Sequence, residues 1–202
     1  ALNEKKKQLI LEALALANGS VTAAAGDLPT PLTVDTAVLM TVRNEDPERA
    51  IREVLEGEEV LEEFAALPGR YNVAPTQPMP VLRSGGDLRL SRWGFRSLGT
   101  TLLINARSET LRTKPSFRAA FKSRRCLVPA DGFFEWTRGP KNTRQPWWIH
   151  LPGSRPFAFA GLWEDDLFTI VTCEARGTIR ELHDRMPVML FDRPTRRAWL
   201  EA

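Results

Sequence analysis

The chain has 202 residues and a net charge of +3, and 43% of its residues are hydrophobic, which is enough to build a real core. No apolar segment is long enough to span a bilayer, so we expect no membrane association. The two cysteines, Cys126 and Cys173, lie in apolar runs and give no disulfide framework, which favours the reducing cytoplasm. With only two histidines, we expect no metal site and no cofactor.

Charge is unevenly distributed along the chain. Residues 44–63 are mostly acidic, whereas the run from Arg107 to Arg125 is basic apart from Glu109. Such a run predicts a face that binds a polyanion, although the solvated surface of a helix has the same pattern, and the two interpretations start level. The cations of the run are Arg107, Arg112, Lys114, Arg118, Lys122, Arg124 and Arg125.

Residues 1–39 form a separate N-terminal helical extension in our prediction. An amphipathic helix ends at Gly19, and Ser20 caps a second short helix over Val21 to Ala25. Two prolines then break the helix-turn-helix pattern where it should continue. We therefore expect the extension to have a packing or linker role and not to read DNA. The main domain comprises residues 40–202.

Around and beyond residue 40, apolar alternation predicts mainly short strands. Asp46 caps a helix that starts at Pro47, and a hairpin that turns at Gly85-Gly86 follows. The expected strands run from Leu32 to Met40, Pro80 to Arg83, Leu88 to Phe95, Leu102 to Ala106, Cys126 to Val128, Phe133 to Trp136, Trp147 to Leu151, Phe157 to Trp163 and Leu167 to Thr172. Another helix is expected from Ser116 to Lys122. The fold class is α+β, a curved, mostly antiparallel sheet or partial β-barrel with peripheral helices.

The stretch from Arg124 to Trp136 reads as strand, tight turn and strand, and it places Glu135 between large rings. If this carboxyl is buried, desolvation disfavours its charged form, and it can act as a general acid and base near neutral pH. The alternative is a glutamate on an edge strand that points into water. The stretch by itself favours that alternative.

Five motifs in order resemble one known family. The resemblance covers roughly residues 40 to 202, and the family is SRAP, the SOS response-associated peptidase family. The motifs are Tyr71-Asn72-Val73-Ala74-Pro75-Thr76-Gln77, Trp93-Gly94-Phe95, Ile104-Asn105-Ala106-Arg107-Ser108-Glu109-Thr110, Arg125 to Trp136 (R-C-L-V-P-A-D-G-F-F-E-W) and His183-Asp184-Arg185-Met186-Pro187-Val188.

The resemblance implies a DNA-damage function in the SOS response, with a peptidase-type or crosslinking active site. Members of the family bind single-stranded DNA, and a cysteine after the initiator methionine closes a thiazolidine ring on the aldehyde of an abasic site. By this resemblance, Glu135 relays protons and His183 transfers a proton or holds the sugar oxygen. Asn105 positions the reacting amine. The expected partner is single-stranded DNA with abasic sites, bound by a monomer.

The same resemblance implies a set of DNA contacts. Arg107 and Arg185 are expected to bind phosphates, and Trp136 walls the pocket. The two arginines have a simpler alternative, because they could pair with Glu109 and Asp184. The implied DNA-binding residues are Arg43, Asn72, Pro75, Arg107, Trp136 and Arg185.

The chain departs from the family at its nucleophile. No Met-Cys-Gly-Arg occurs, and the spacing to Asn72 places Met40-Thr41-Val42-Arg43 there, with Thr41 at the position of the cysteine. Without a thiol no thiazolidine forms, and the nitrogen of Thr41 is an amide unless the chain is cut after Met40. Two hypotheses remain, namely an enzyme-like protein that engages abasic DNA, and a catalytically silent module that binds single-stranded nucleic acid non-covalently.

Overall fold

The computed structural model describes residues 20–23, 40–55, 64, 66–96, 101–138 and 144–201. The strands are β1 (Ser20–Ala23), β2 (Met40–Asn44), β3 (Arg70–Val73), β4 (Pro78–Arg83), β5 (Leu88–Trp93), β6 (Phe95–Arg96), β7 (Leu102–Leu103), β8 (Asn105–Arg107), β9 (Arg125–Ala130), β10 (Gly132–Arg138), β11 (Arg144–His150), β12 (Phe157–Glu164), β13 (Leu167–Glu174), β14 (Arg185–Pro187) and β15 (Met189–Leu190). The helices within these ranges are α1 (Pro47–Leu55), α2 (Pro115–Ser123) and α3 (Arg193–Glu201).

Two sheets carry the fold. The first has the order β1-β11-β10-β2-β3, and all its pairings are antiparallel. The second has the order β14-β13-β5-β4-β9-β12-β15, with β8 parallel to β13, and β12 also pairs with β13. This last pairing makes the second sheet curve strongly. The predicted class is confirmed: the fold is mixed, with a large, curved and mostly antiparallel sheet and helices outside it.

Aromatic rings fill the space where the sheets meet. Phe133 on β10 packs edge-on against Phe159 on β12, with ring centres 5.9 Å apart, and Phe159 packs against Phe157 in the same way. Trp93 is fully buried and stacks on Phe168, as a core aromatic should. Because β9 and β12 lie under all three helices, these two strands are buried on both faces.

The helix predictions are confirmed with small shifts. Asp46 caps α1, since its Oδ1 accepts the backbone N–H of Arg49 at 2.9 Å. The second predicted helix, α2, begins at Pro115 and ends at Ser123. Helix α3 was not predicted, because arginines occupy three of its nine positions and hide its apolar stripe.

Two sequence predictions were wrong in detail, whereas the strand, turn and strand predicted around Asp131 are observed, with β9 in the second sheet and β10 in the first. Ser20–Ala23 is a strand on β11 and not the start of a helix, because β11 offers it a row of backbone partners. The strand expected from Leu102 to Ala106 is interrupted at Ile104, whose carbonyl accepts the indole N–H of Trp93. Of the strand expected from Leu32 to Met40, residues 32–39 lie outside the described part of the chain.

Asp131 joins the two sheets. A single residue separates β9 from β10, and Oδ2 of Asp131 accepts the backbone N–H of Glu45 at 2.8 Å. The side chain thereby ties the crossing point to the chain that leaves β2.

Arg196 holds α3 against α1. Its side chain is 5% exposed, and Nη1 donates to the backbone oxygen of Glu53 at 2.7 Å, while Nη2 lies 3.4 Å from the carboxylate of the same residue. The next residue, Arg197, is exposed. Replacement of Arg196 would remove the donor to the backbone oxygen of Glu53.

We therefore expect Arg196→Met to lower the free energy of unfolding by roughly 2–4 kcal/mol. The matched change Arg197→Met should alter it by less than about 0.5 kcal/mol, because that side chain is in water. Urea denaturation of both variants measures the difference. Equal effects at the two positions would contradict the assignment.

Candidate functional site

Glu135 lies on β10 in the middle of the first sheet, and only 4% of its surface is exposed. Burial raises the pKa of its carboxyl to about 8; a backbone hydrogen bond from Trp136 offsets part of this, and the charge of Asp184 adds to it. Its Oε2 has no hydrogen-bond partner among the described residues. The alternative of a solvent-facing edge glutamate is therefore wrong. A protonated carboxyl with an unpaired oxygen can exchange a proton with a bound molecule.

Two asparagine side chains also leave buried oxygens unpaired. Oδ1 of Asn72 on β3 and Oδ1 of Asn105 on β8 accept no hydrogen bond within the described part of the chain. An unpaired buried acceptor costs about 1–3 kcal/mol. A ligand that carries O–H or N–H donors would remove this cost, so both amides are candidate ligand contacts.

The ring of His183 is held by the loop that follows it. Its Nδ1 lies 2.9 Å from the backbone nitrogen and 3.1 Å from the backbone oxygen of Arg185. One carboxylate oxygen of Asp184 lies 3.2 Å from the same nitrogen. The imidazole is a quarter exposed, so it can contact a bound molecule.

Arg185 already has a partner. Its Nη1 and Nη2 donate to the two carboxylate oxygens of Glu109 at 2.7 and 3.0 Å, and Nη2 also donates to the backbone oxygen of Thr172. The hydrogen bond from Arg185 lowers the pKa of Glu109 to about 2. The simpler alternative of an Arg185–Glu109 pair is therefore observed, and phosphate binding by Arg185 stays a prediction.

Arg107 differs from Arg185. It ends β8, its side chain is exposed, and it makes no ion pair with any residue that the structure describes. Its guanidinium is therefore available to an anion from solution. Of the two arginines predicted to bind phosphate, Arg107 is the one whose charge is not already neutralised.

A pocket of about 610 Å³ brings several of these side chains together. Its lining includes three predicted site residues, Arg107, His183 and Arg185. Asn105 lies two residues before Arg107 on the same strand, and the charge of Asp184, which lines the pocket, contributes to the raised pKa of Glu135. The remaining lining residues are Glu109, Glu174, Arg180, Glu181, Leu182 and Asp184.

Other predicted residues lie further along the first sheet. Asn72 is on β3, and Pro75 follows in a half-buried turn; no hydrogen bond or ion pair of the described residues connects either to the pocket. Trp136 is half-buried, with its ring 6.3 Å from that of Phe134. The structure therefore does not group Asn72 and Pro75 with His183.

The register places residues 40 and 41 beside the buried carboxyl. Strand β2 pairs with β10, so that Met40 is opposite Glu135 and Thr41 is opposite Phe134. The peptide bond between Met40 and Thr41 thus runs alongside the backbone of Glu135. Arg43 lies further along the same strand, opposite Gly132. The side chains of β2 lie outside the described part of the molecule.

Asp184 is a part of the site that the sequence analysis did not assign. It acts on Glu135 from 49 positions away, and no local pattern signals such a pair. Gln77 has a structural role outside the pocket: its side-chain oxygen accepts the backbone N–H of Ala74 at 3.1 Å, which closes the turn after β3, and Thr76 has a left-handed backbone there (φ 74°).

The raised pKa of Glu135 predicts how stability changes with pH. Below about pH 4 the carboxyl is protonated in the folded and the unfolded chain, so it has no effect there. As the pH rises, the unfolded chain loses this proton first, and the folded chain keeps it up to about pH 8. Ionisation thus favours unfolding across this window.

Between about pH 5 and pH 8, we expect the free energy of unfolding of the native chain to fall as the pH rises. This fall should be steeper than that of Glu135→Gln by up to ~1.4 kcal/mol per pH unit. Denaturant titrations at several pH values measure both slopes. Glu181→Gln, at an exposed carboxyl, is the control and should retain the native slope. Parallel curves for the native chain and Glu135→Gln would contradict the buried proton.

Comparison with known proteins gives a consistent result. Residues 38–202 match the family model described as SOS response associated peptidase (SRAP). The chain is 41% identical over 149 residues to the abasic site processing protein YoqW of Bacillus subtilis, covering 64% of the chain and 66% of YoqW. It is 34% identical over 136 residues to the abasic site processing protein YedK of Escherichia coli, covering 60% of each. The chain thus spans slightly less than two thirds of these relatives.

Solved structures agree on the fold. A phage-related protein of Bordetella bronchiseptica matches with a TM-score of 0.64 at 32% identity, over 79% of this chain and 80% of the other. A protein of Bacteroides thetaiotaomicron matches with a TM-score of 0.62 at 22% identity, over the same shares, and it supports the fold alone. Because the SRAP family model matches residues 38–202, the chain belongs to the SRAP family.

Proposed function

We propose that this chain binds single-stranded DNA at abasic sites as part of the response to DNA damage. The observation that carries the proposal is Glu135, a buried carboxyl with a pKa of about 8 and an unpaired Oε2, beside the position where the family has its nucleophile. The names of the relatives, abasic site processing proteins, support the choice of lesion. A monomer in the reducing cytoplasm is part of the proposal, since both thiols are buried and free.

The chemistry of an abasic sugar suits these groups. The sugar is a cyclic hemiacetal whose hydroxyls are hydrogen-bond donors, and Asn105 and Glu135 offer unpaired acceptors. In ring opening, the anomeric O–H loses its proton, the bond from C1 to the ring oxygen breaks, and the ring oxygen gains a proton. Glu135 supplies that proton as a general acid, because burial keeps it protonated, and the carboxylate that remains takes up the proton lost by the anomeric O–H. His183, which lines the pocket, would hold the sugar oxygen.

Thr41 restricts the chemistry available to the opened sugar. A stable thiazolidine needs a thiol and a free amine on one residue, and Thr41 has a hydroxyl and an amide nitrogen. We therefore propose non-covalent binding for the intact chain. The alternative is a module that binds the same DNA and catalyses no step. It differs from this proposal only in whether Glu135 moves a proton.

The intact chain should form no covalent adduct with an abasic single-stranded oligonucleotide. Intact mass spectrometry after incubation should give the mass of the full chain alone, while fluorescence anisotropy detects binding to the same oligonucleotide. A matched oligonucleotide without the lesion should bind more weakly. A stable adduct on the uncut chain would contradict the proposal.

A second candidate function is cleavage of the chain's own Met40–Thr41 bond. The register that places Met40 opposite Glu135 supports it, because Glu135 could act as the acid or base for water attack. Hydrolysis would add one water, leave a carboxylate on Met40 and give Thr41 a free amine. The same mass measurement tests this peptidase activity, since cleavage removes forty residues in the native chain and not in Glu135→Gln.

Arg107 should contribute one phosphate contact to DNA binding. For Arg107→Gln we expect weaker binding and a salt dependence shallower by about 0.7 in the slope of log K against log salt. Arg155→Gln, at an exposed arginine distant in sequence from the pocket residues, is the control for net charge. Affinity titrations from 50 to 200 mM salt measure both slopes. An unchanged slope for Arg107→Gln would remove this residue from the DNA interface.

A further inference from the structure

The basic run from Arg107 to Arg125 divides into two groups. Arg125 is buried, with its guanidinium over the rings of Phe121 and Trp199, and it donates to the backbone oxygens of both residues. Arg124 donates to the carboxylate of Glu164 at 2.8 Å. These two arginines hold α2, α3 and β12 together and are not available to a partner.

The other cations on and before α2 are exposed. They are Arg112, Lys114, Arg118 and Lys122, and we call them the basic ridge. None of the four makes an ion pair with any residue in the described ranges. The single acidic residue of the run, Glu109, is bound to Arg185 and cannot neutralise them.

Helix α2 presents the ridge as a rigid row. Phe117 and Ala120 are buried against the second sheet, which fixes the rotation of the helix. Arg118 and Lys122 are four residues apart and are neighbours on successive turns, and Lys114, the N-cap residue, precedes Arg118 by four positions. Like charges at this spacing destabilise a helix in the free protein, and a polyanion along the row would relieve the repulsion.

The ridge is close to the pocket along the chain. Arg107 lines the pocket, and Lys114 immediately precedes α2, seven residues later. Seven residues span at most about 25 Å even when fully extended. The 3-10 turn from Ser108 to Thr110 shortens this path, and the pair of Glu109 with Arg185 fixes it to the pocket wall. A strand leaving the pocket thus needs only a few nucleotides to reach the ridge.

We propose that the basic ridge binds the phosphate backbone of the single DNA strand that continues beyond the pocket. The inference deepens the proposed function, because it assigns a second contact surface to the same strand. Charge complementarity identifies the ligand. Three of the four ridge cations, Lys114, Arg118 and Lys122, recur every four residues without an ion-pair partner among the described residues, and α2 has no exposed aromatic ring, so they match a sequence-independent chain of phosphates. The pocket selects the lesion, and the ridge supplies affinity for the flank.

The test compares the triple variant Lys114→Gln/Arg118→Gln/Lys122→Gln with the triple control Arg49→Gln/Arg155→Gln/Arg197→Gln, which removes the same charge from exposed positions elsewhere. Binding is measured from 50 to 200 mM salt with an abasic 5-mer, an abasic 25-mer and a 25-mer without the lesion, all single-stranded. For both 25-mers, the slope of log K against log salt should be shallower by about 2 in the ridge variant than in the native chain, because each lost phosphate contact reduces the slope by about 0.7. The 5-mer carries the lesion at its central position, so only two nucleotides lie on either side of it and the strand ends before the ridge. It should therefore bind all three proteins equally.

Thermal unfolding separates binding from folding. The ridge variant should have a melting temperature equal to or above that of the native chain, because it removes like-charge repulsion. Equal slopes for the ridge and control variants on the 25-mers would overturn the proposal. If the 25-mer without the lesion binds as well as the abasic one and both depend on the ridge, the ridge proposal stands and the proposed abasic selectivity fails. A ridge effect on the 5-mer as large as on the 25-mer would also overturn it.

Discussion

The rest of the candidate site depends on the burial of one carboxyl. Glu135 is on a strand with neighbours on both sides, and the packing of Phe133 against the second sheet keeps water from its inner face. A carboxyl in such a place stays protonated near neutral pH, as its raised pKa indicates. The two sheets therefore do more than form a core, since their contact sets the protonation state of the group that would move a proton.

Sequence reasoning predicted the fold class and the strands of the main domain because alternation and turn residues are local signals. It failed where a distant partner decides the outcome. Ser20–Ala23 is a strand only because the edge of β11 is available, and α3 docks through Arg196, which looks like a surface residue in the sequence. For the candidate site, motif resemblance supplied Glu135 and His183, but the effect of Asp184 on Glu135 depends on tertiary contact. The roles of the predicted site residues stay predictions.

The arginines show why charge counts from sequence are incomplete. Arg125 and Arg196 are buried and hold helices in place, whereas Arg185 is half-buried and fixes Glu109. Only the exposed cations without partners can contribute to a field that reaches solvent. A net charge of +3 thus understates the contrast between the cations of α2 and the mostly acidic sequence of residues 44–63.

Strand β1 has a consequence for how this protein behaves when it is shortened. It pairs residue by residue with β11, from Ser20 opposite His150 to Ala23 opposite Trp147, and it lies outside the matched family region. Without it, β11 becomes the edge of the sheet, with a row of unpaired N–H and C=O groups next to two tryptophans. Such an edge is a template for pairing with another chain. A protein that begins at Thr41 therefore gains a free amine and, at the same time, a surface prone to self-association.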